Sequence, residues 1–213
     1  MNTFQVQVKD NLLKRILLLY GLYSLLSNAF FLVGYYFLPE GFLRGSPQMG
    51  PGELVAQQTG FWAQFGLTLF FNLGVTGALI VVLNFNQVNG FPVGYLLPIS
   101  LGIMSGLIPG TNSFIASDLS RYSVREGMAL GLSIGGLEML AYILIIASTV
   151  KFGVYQYKSW WRWGGEWEPT KVMNLRDVRL SKQEIFCIII GVILFIVAAY
   201  RETTMPLTSV MTI

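Results

Sequence analysis

GLSIGGLEMLAYILIIA, Gly131 to Ala147, carries a single carboxylate, Glu138, among apolar and small residues. Whether that acid lies in protein core or in lipid decides the fold. Of the 213 residues, 54% are hydrophobic and only 12% charged, against about a quarter charged in ordinary soluble domains. Mean hydropathy is +0.58. Apart from Glu138, charges are absent from Ile16–Leu38, Phe61–Leu83, Phe91–Pro109, Gly127–Val150 and Ile185–Tyr200. Four of these stretches reach the roughly 18 residues that a spanning helix needs, and the fifth comes close. The sequence therefore predicts an all-α polytopic membrane protein, a single domain over 1–213, with five transmembrane helices at about 12–38, 61–83, 91–109, 124–150 and 182–201.

The first apolar run is too long for a signal-peptide core and no small-residue cleavage site follows it, so it reads as a retained anchor. Orientation comes from Lys and Arg. Lys9, Lys14 and Arg15 precede the first span, and the connection 151–181 with its border holds Lys151, Lys158, Arg162, Lys171, Arg176, Arg179 and Lys182. Five spans place both regions on one side, which the positive-inside rule makes cytoplasmic, with the C-terminus outside. The expected location is the plasma membrane. The one cysteine, Cys187, excludes an internal disulfide, and histidine is absent altogether.

Boundary signals agree with these spans. SVRE (Ser123–Glu126) and SKQE (Ser181–Glu184) both match the capping box, in which Ser and Glu satisfy the free amides of a starting helix. Pro39, Pro109 and Pro206 close the first, third and fifth helices or follow them, whereas Pro92 and Pro98 argue that the third starts late or kinks. Asn89-Gly90 marks a turn between the second and third.

In the fourth span, Gly127, Gly131, Gly135, Glu138 and Tyr142 recur at helical spacing, so the glycines form a small-xxx-small stripe for close helix approach. The second span has a polar stripe of Gln64, Thr68, Asn72 and Thr76. Asn72 and Glu138 lie at the midpoints of their segments, hence at similar depth, which predicts a hydrogen bond between them. An acid at mid-membrane costs about 2.5–3.5 kcal/mol on insertion scales. Two uses remain open for Glu138: a neutral acid locking helix to helix, or a proton or cation site on a transport path. Trp160, Trp161, Trp163 and Trp167 form an interfacial aromatic belt or a docking surface. Arg201 and Glu202 stand where the last helix leaves the membrane, as a snorkelling pair or an interhelical contact. Walker, GxSxG and HExxH motifs are absent and the acids do not cluster as metal ligands. No catalytic, cofactor-binding or metal site and no nucleic-acid partner is expected, and the chain does not read as an enzyme.

Four quoted stretches in order, LKRILLLYGLYSLLSNAFFLVGYYFLP, FFNLGVTGALIVVLNFNQVNGFPVG, GGLEMLAYILIIA and AAYRETTMP, cover most of Leu13 to Pro206. Together they resemble the stage II sporulation protein M family of integral membrane proteins. On that resemblance, Asn72 matches the family's asparagine in the second helix and Asn89-Gly90 its turn. Gly135, Glu138 and Ala141 match its Gly-x-x-Glu-x-x-Ala segment, and Glu202 its terminal acid. Ile134 stands where the family often has His, which favours a packing role for Glu138. The resemblance implies a non-enzymatic membrane subunit that organises partners: the lipid bilayer, other membrane or extracytoplasmic proteins, or further copies of itself. The alternative expectation is a transporter or channel component using Glu138.

Overall fold

The computed structural model describes residues 11–113, 123–130, 135–158 and 169–204. The described residues are mostly helical, 75%. Four helices are long and apolar enough to cross a membrane: Leu12–Phe37, Phe61–Asn84, Val93–Gly110 and Lys182–Thr204. We label the first α1, the short Gly50–Ala56 α2, Phe61–Asn84 α3 and Leu96–Gly110 α4. Two further helices follow, Val124–Leu130 (α5) and Gly136–Thr149 (α6), then Lys182–Thr204 (α7). The expected fourth span is thus seen as two pieces, because 131–134, including Gly131, lie outside the described residues.

Local chemistry sets the helix starts. The Asn11 side chain accepts from the Leu13 amide at 3.1 Å and opens α1. Both capping boxes form. Glu126 Oε2 accepts from Ser123 N at 3.0 Å, and Glu184 Oε2 accepts from Ser181 N at 2.8 Å. In α4 the helix begins only at Leu96, after a 3₁₀ turn at Val93–Tyr95. Pro98 then sits in its first turn, where a missing N–H costs nothing. Pro109 does not end α4, which runs one residue further to Gly110.

Centrally placed, α6 has buried residues on every side, from Met139 through Thr149, as a helix apolar all round must. It lies against α7, where Tyr142 meets Phe195 edge-on with centroids 4.6 Å apart. A β-carbon on Gly191 would stand 3.0 Å from Ile145 and 3.1 Å from the Ala141 carbonyl. The closest helix pair is α1 with α4. Gly102, Gly106 and Gly110 follow each other at steps of four and face α1 backbone. A β-carbon on Gly106 would collide with the Ser27 carbonyl and stand 2.7 Å from Phe31 N, and one on Gly110 would stand 2.5 Å from Phe31 O. Ser105 Oγ and Ser27 Oγ add a hydrogen bond of 3.1 Å across the pair. Lipid offers no hydrophobic drive for helices to associate, so such close backbone packing is a main source of cohesion.

The fold is not purely helical. Four short strands, Asn86–Val88 (β1), Phe91–Pro92 (β2), Tyr155–Tyr157 (β3) and Thr170–Lys171 (β4), form a sheet of order β2-β1-β3-β4. β1 and β2 make a hairpin whose two turn residues, Asn89 and Gly90, both have positive φ, 52° and 82°. That backbone is the I′ turn for which Asn-Gly is preferred. β1 pairs in parallel with β3, which joins the α3–α4 connection to the α6–α7 connection.

Alanine at Gly106 is expected to destabilise the chain by about 1–3 kcal/mol, since the added carbon meets backbone that cannot swing away. Gly21, with nothing near its Cβ position, should accept alanine without loss. Reversible denaturation in mixed micelles, comparing Gly106→Ala with Gly21→Ala, checks the difference.

Candidate functional site: a polar network in the bundle and a charged clamp at its base

Glu138, in the first turn of α6, does hold a hydrogen bond, but not with Asn72. The Tyr142 hydroxyl, one turn on, bonds to the Glu138 carboxylate and also to Thr76 of α3. Glu202 of α7 lies within electrostatic reach of both, and Tyr23 of α1 within reach of Glu138. Tyr23 in turn bonds to Ser27 and Ser105. Four helices therefore converge on one polar chain of Thr76, Tyr142, Glu138, Tyr23 and Ser105.

Asn72 is half-buried, and among the described residues its side chain makes no hydrogen bond. The reason lies in α3, whose middle, Phe70–Gly77, is π-helical. Residues four apart align along an α-helix but not through i→i+5 turns. The expected stripe therefore fans out. Gln64 turns back to the Gln58 carbonyl at 2.7 Å, Thr68 is buried, and only Thr76 reaches Tyr142. Two glycines of the fourth-span stripe face α1, Gly127 against the Phe31 ring and Gly135 beside the Tyr23 hydroxyl. Arg201 is half-buried and Glu202 exposed, and no ion pair joins them. Trp160, Trp161, Trp163 and Trp167 lie outside the described residues.

Three side chains meet at the other end of α7. Glu184, only 2% exposed, pairs with Lys151 at 2.9 Å and with Arg15 at 3.5 Å. The same carboxylate caps α7 through Ser181. The triad ties the start of α1, the end of α6 and the start of α7 together. Removing one partner of a buried ion pair typically costs about 3–5 kcal/mol, since the other charge is left uncompensated. Beside it, Asn84 closes α3 onto α6. It is fully buried and donates to the Ile146 carbonyl at 3.0 Å and to Thr149 Oγ1 at 2.7 Å. Gly94 lies directly over its amide, and Gln87 reaches the Val150 carbonyl at 3.3 Å. Neither Asn84 nor the triad was singled out in the sequence. The available signal was a polar residue at the edge of each charge-free stretch.

At the opposite end a second polar clasp forms. Asn112 donates to Glu40 at 2.6 Å, Arg44 donates to the Asn112 carbonyl at 2.9 Å, and Leu43 N donates to Ser113 at 3.0 Å. Outside the bundle, an open groove of about 540 Å³ runs along the sheet, lined by Phe85, Tyr155, Lys171, Leu175, Arg176 and Asp177 among others. Among the described residues no three Cys, Asp or Glu side chains converge as metal ligands would. Compared with known protein families, curated proteins and solved structures, the chain finds no match.

The geometry predicts opposite outcomes for the two asparagines. Asn84→Ala should cost about 1–3 kcal/mol, because Thr149 and the Ile146 carbonyl lose their donor in a dry site. Asn72→Ala should stay within about 0.5 kcal/mol. Unfolding both variants in bicelles measures the contrast.

Proposed function

We propose that this chain is a non-enzymatic subunit of a membrane protein complex, a scaffold of the kind the stage II sporulation protein M resemblance implies. It sits in the plasma membrane in five spans, N-terminus in the cytoplasm and C-terminus outside. The observation that carries this reading is the sheet, which pins two connections from different parts of the chain into one platform with an open groove beside the bundle. A platform held by buried side chains is suited to receive a partner. The polar residues inside the bundle join helix to helix, as the Thr76–Tyr142–Glu138 chain does. The Arg15–Glu184–Lys151 triad supports the five-span path. It brings the start of α1 and the start of α7 to one face, which requires an even number of crossings between them. The basic residues at that face support its cytoplasmic orientation.

A second reading, a transporter or channel component, rests on the Glu138, Tyr142 and Glu202 grouping, since intramembrane acids often mark transport paths. The two readings separate in one variant. Tagged native protein purified in gentle detergent should bring stoichiometric membrane or extracytoplasmic partners, identified by mass spectrometry. Glu138→Gln, which keeps a hydrogen bond to Tyr142, should bring the same partners. A native chain that purifies as a homo-oligomer alone would count against the scaffold. A Gln variant that assembles fully but abolishes ion flux in proteoliposomes would favour the transport reading.

A further inference from the structure

The basal triad holds more positive charge than it can use. One carboxylate, Glu184, faces two cations, and all are at least partly withdrawn from water: Glu184 is 2% exposed and Arg15 8%. Glu184 is already satisfied without Arg15, through Lys151 at 2.9 Å and Ser181 N and Oγ at 2.8 and 2.9 Å. Arg15 makes only the longer contact of 3.5 Å, through Nη2, while its Nε and Nη1 are buried with no acceptor. A buried cation with two unused donors is costly unless an anion meets it. The surroundings say which kind of anion. Arg15 lies in the first turn of one long apolar helix and Glu184 in the first turn of another, so both helix N-termini open at this spot and favour negative charge. Lys14 and Lys182 lie exposed beside them. Directly along the same helices follow exposed apolar side chains, Leu17, Leu18, Ile185 and Phe186. Charge at the end of an apolar shaft is the profile of a phospholipid, phosphate above and acyl chains below.

We propose that Arg15, with the first turns of α1 and α7, binds the phosphate of an anionic phospholipid. The proposal rests on the membrane reading of the four long helices. In the lipid-bound form Lys151 and Ser181 keep Glu184, and the guanidinium turns outward by a side-chain rotation so that its spare donors meet phosphate oxygens in the bidentate geometry that Arg favours.

The test uses the full chain in nanodiscs of phosphatidylcholine alone or with added phosphatidylglycerol. Thermal midpoints and retained lipid, counted by native mass spectrometry, are read for the native chain and for Arg15→Gln. Phosphatidylglycerol is expected to raise the midpoint and to be retained. Arg15→Gln should weaken retention about fivefold, the value of one basic residue at an anionic surface. Equal midpoints in both nanodiscs, or unchanged retention in Arg15→Gln, would overturn the site. If Arg15→Gln does not fold, the native chain decides, and phosphatidylglycerol retained no better than phosphatidylcholine overturns the site. Inorganic phosphate reproducing the stabilisation in phosphatidylcholine alone would assign the site to a free anion and overturn the lipid. A chain that enters neither nanodisc would bring down the membrane reading and the site together.

Discussion

Glu184 is the point on which the arrangement depends. It is a carboxylate buried at the foot of α7, held by Lys151 from the end of α6 and facing Arg15 from the start of α1. In water such a triad would add little, because exposed ion pairs are screened and flexible. Here the carboxylate is withdrawn from solvent and caps its own helix at the same time. It fixes which ends of three helices share a face, and the sheet and the Asn84 contact are built against that face. Without it, the helices could still pack through glycine and aromatic contacts, but their ends would lack a common register.

The two ends of the molecule are tied by different chemistry. At the base the ties are ionic and backbone-like: the triad, the β1–β3 pairing, and the Asn84 and Gln87 side chains reaching carbonyls of the α6 end. At the other end the Thr111–Ser113 turn is clasped to the α1–α2 connection by Glu40, Leu43 and Arg44. Between them the bundle coheres by close backbone approach of α4 to α1 and by the aromatic contact of α6 with α7. Glu138 belongs to this middle layer, and its hydrogen bond to Tyr142 along the same helix makes it compatible with an interior that is otherwise apolar.

Four of the five expected spans are helices long and apolar enough to cross a membrane, and they were legible in the sequence because lipid excludes charge: avoidance of Lys, Arg, Asp and Glu over long stretches is a one-dimensional signal. Helix starts were legible for a similar reason: a capping box is complete within four residues. What was not legible depends on partners far apart in the chain. Glu184 reads as a cap from its neighbours, whereas its pairing with Lys151 and Arg15 exists only in three dimensions. The stripe of Gly102, Gly106 and Gly110 has the same spacing as the one noted in the fourth span, and spacing alone does not say which helix a stripe faces. The Asn72–Glu138 pairing failed because it assumed α-helical phase through Phe70–Gly77, where the backbone is π-helical. The strands, two or three residues long, carry no alternation to read, and the β1–β3 pairing joins connections far apart in the chain.

On the proposed five-span path, the starts of α1 and α7 and both connections of the sheet lie on one side of the membrane. Substituted-cysteine labelling in sealed cells or oriented vesicles tests it most directly, in a background with Cys187 replaced by Ala. Asn86→Cys and Lys158→Cys should react only with reagent admitted to the cytoplasmic side, and Gln48→Cys and Thr204→Cys only from outside. Labelling of Asn86→Cys and Lys158→Cys from opposite sides, or of Thr204→Cys from the cytoplasm, would contradict the account.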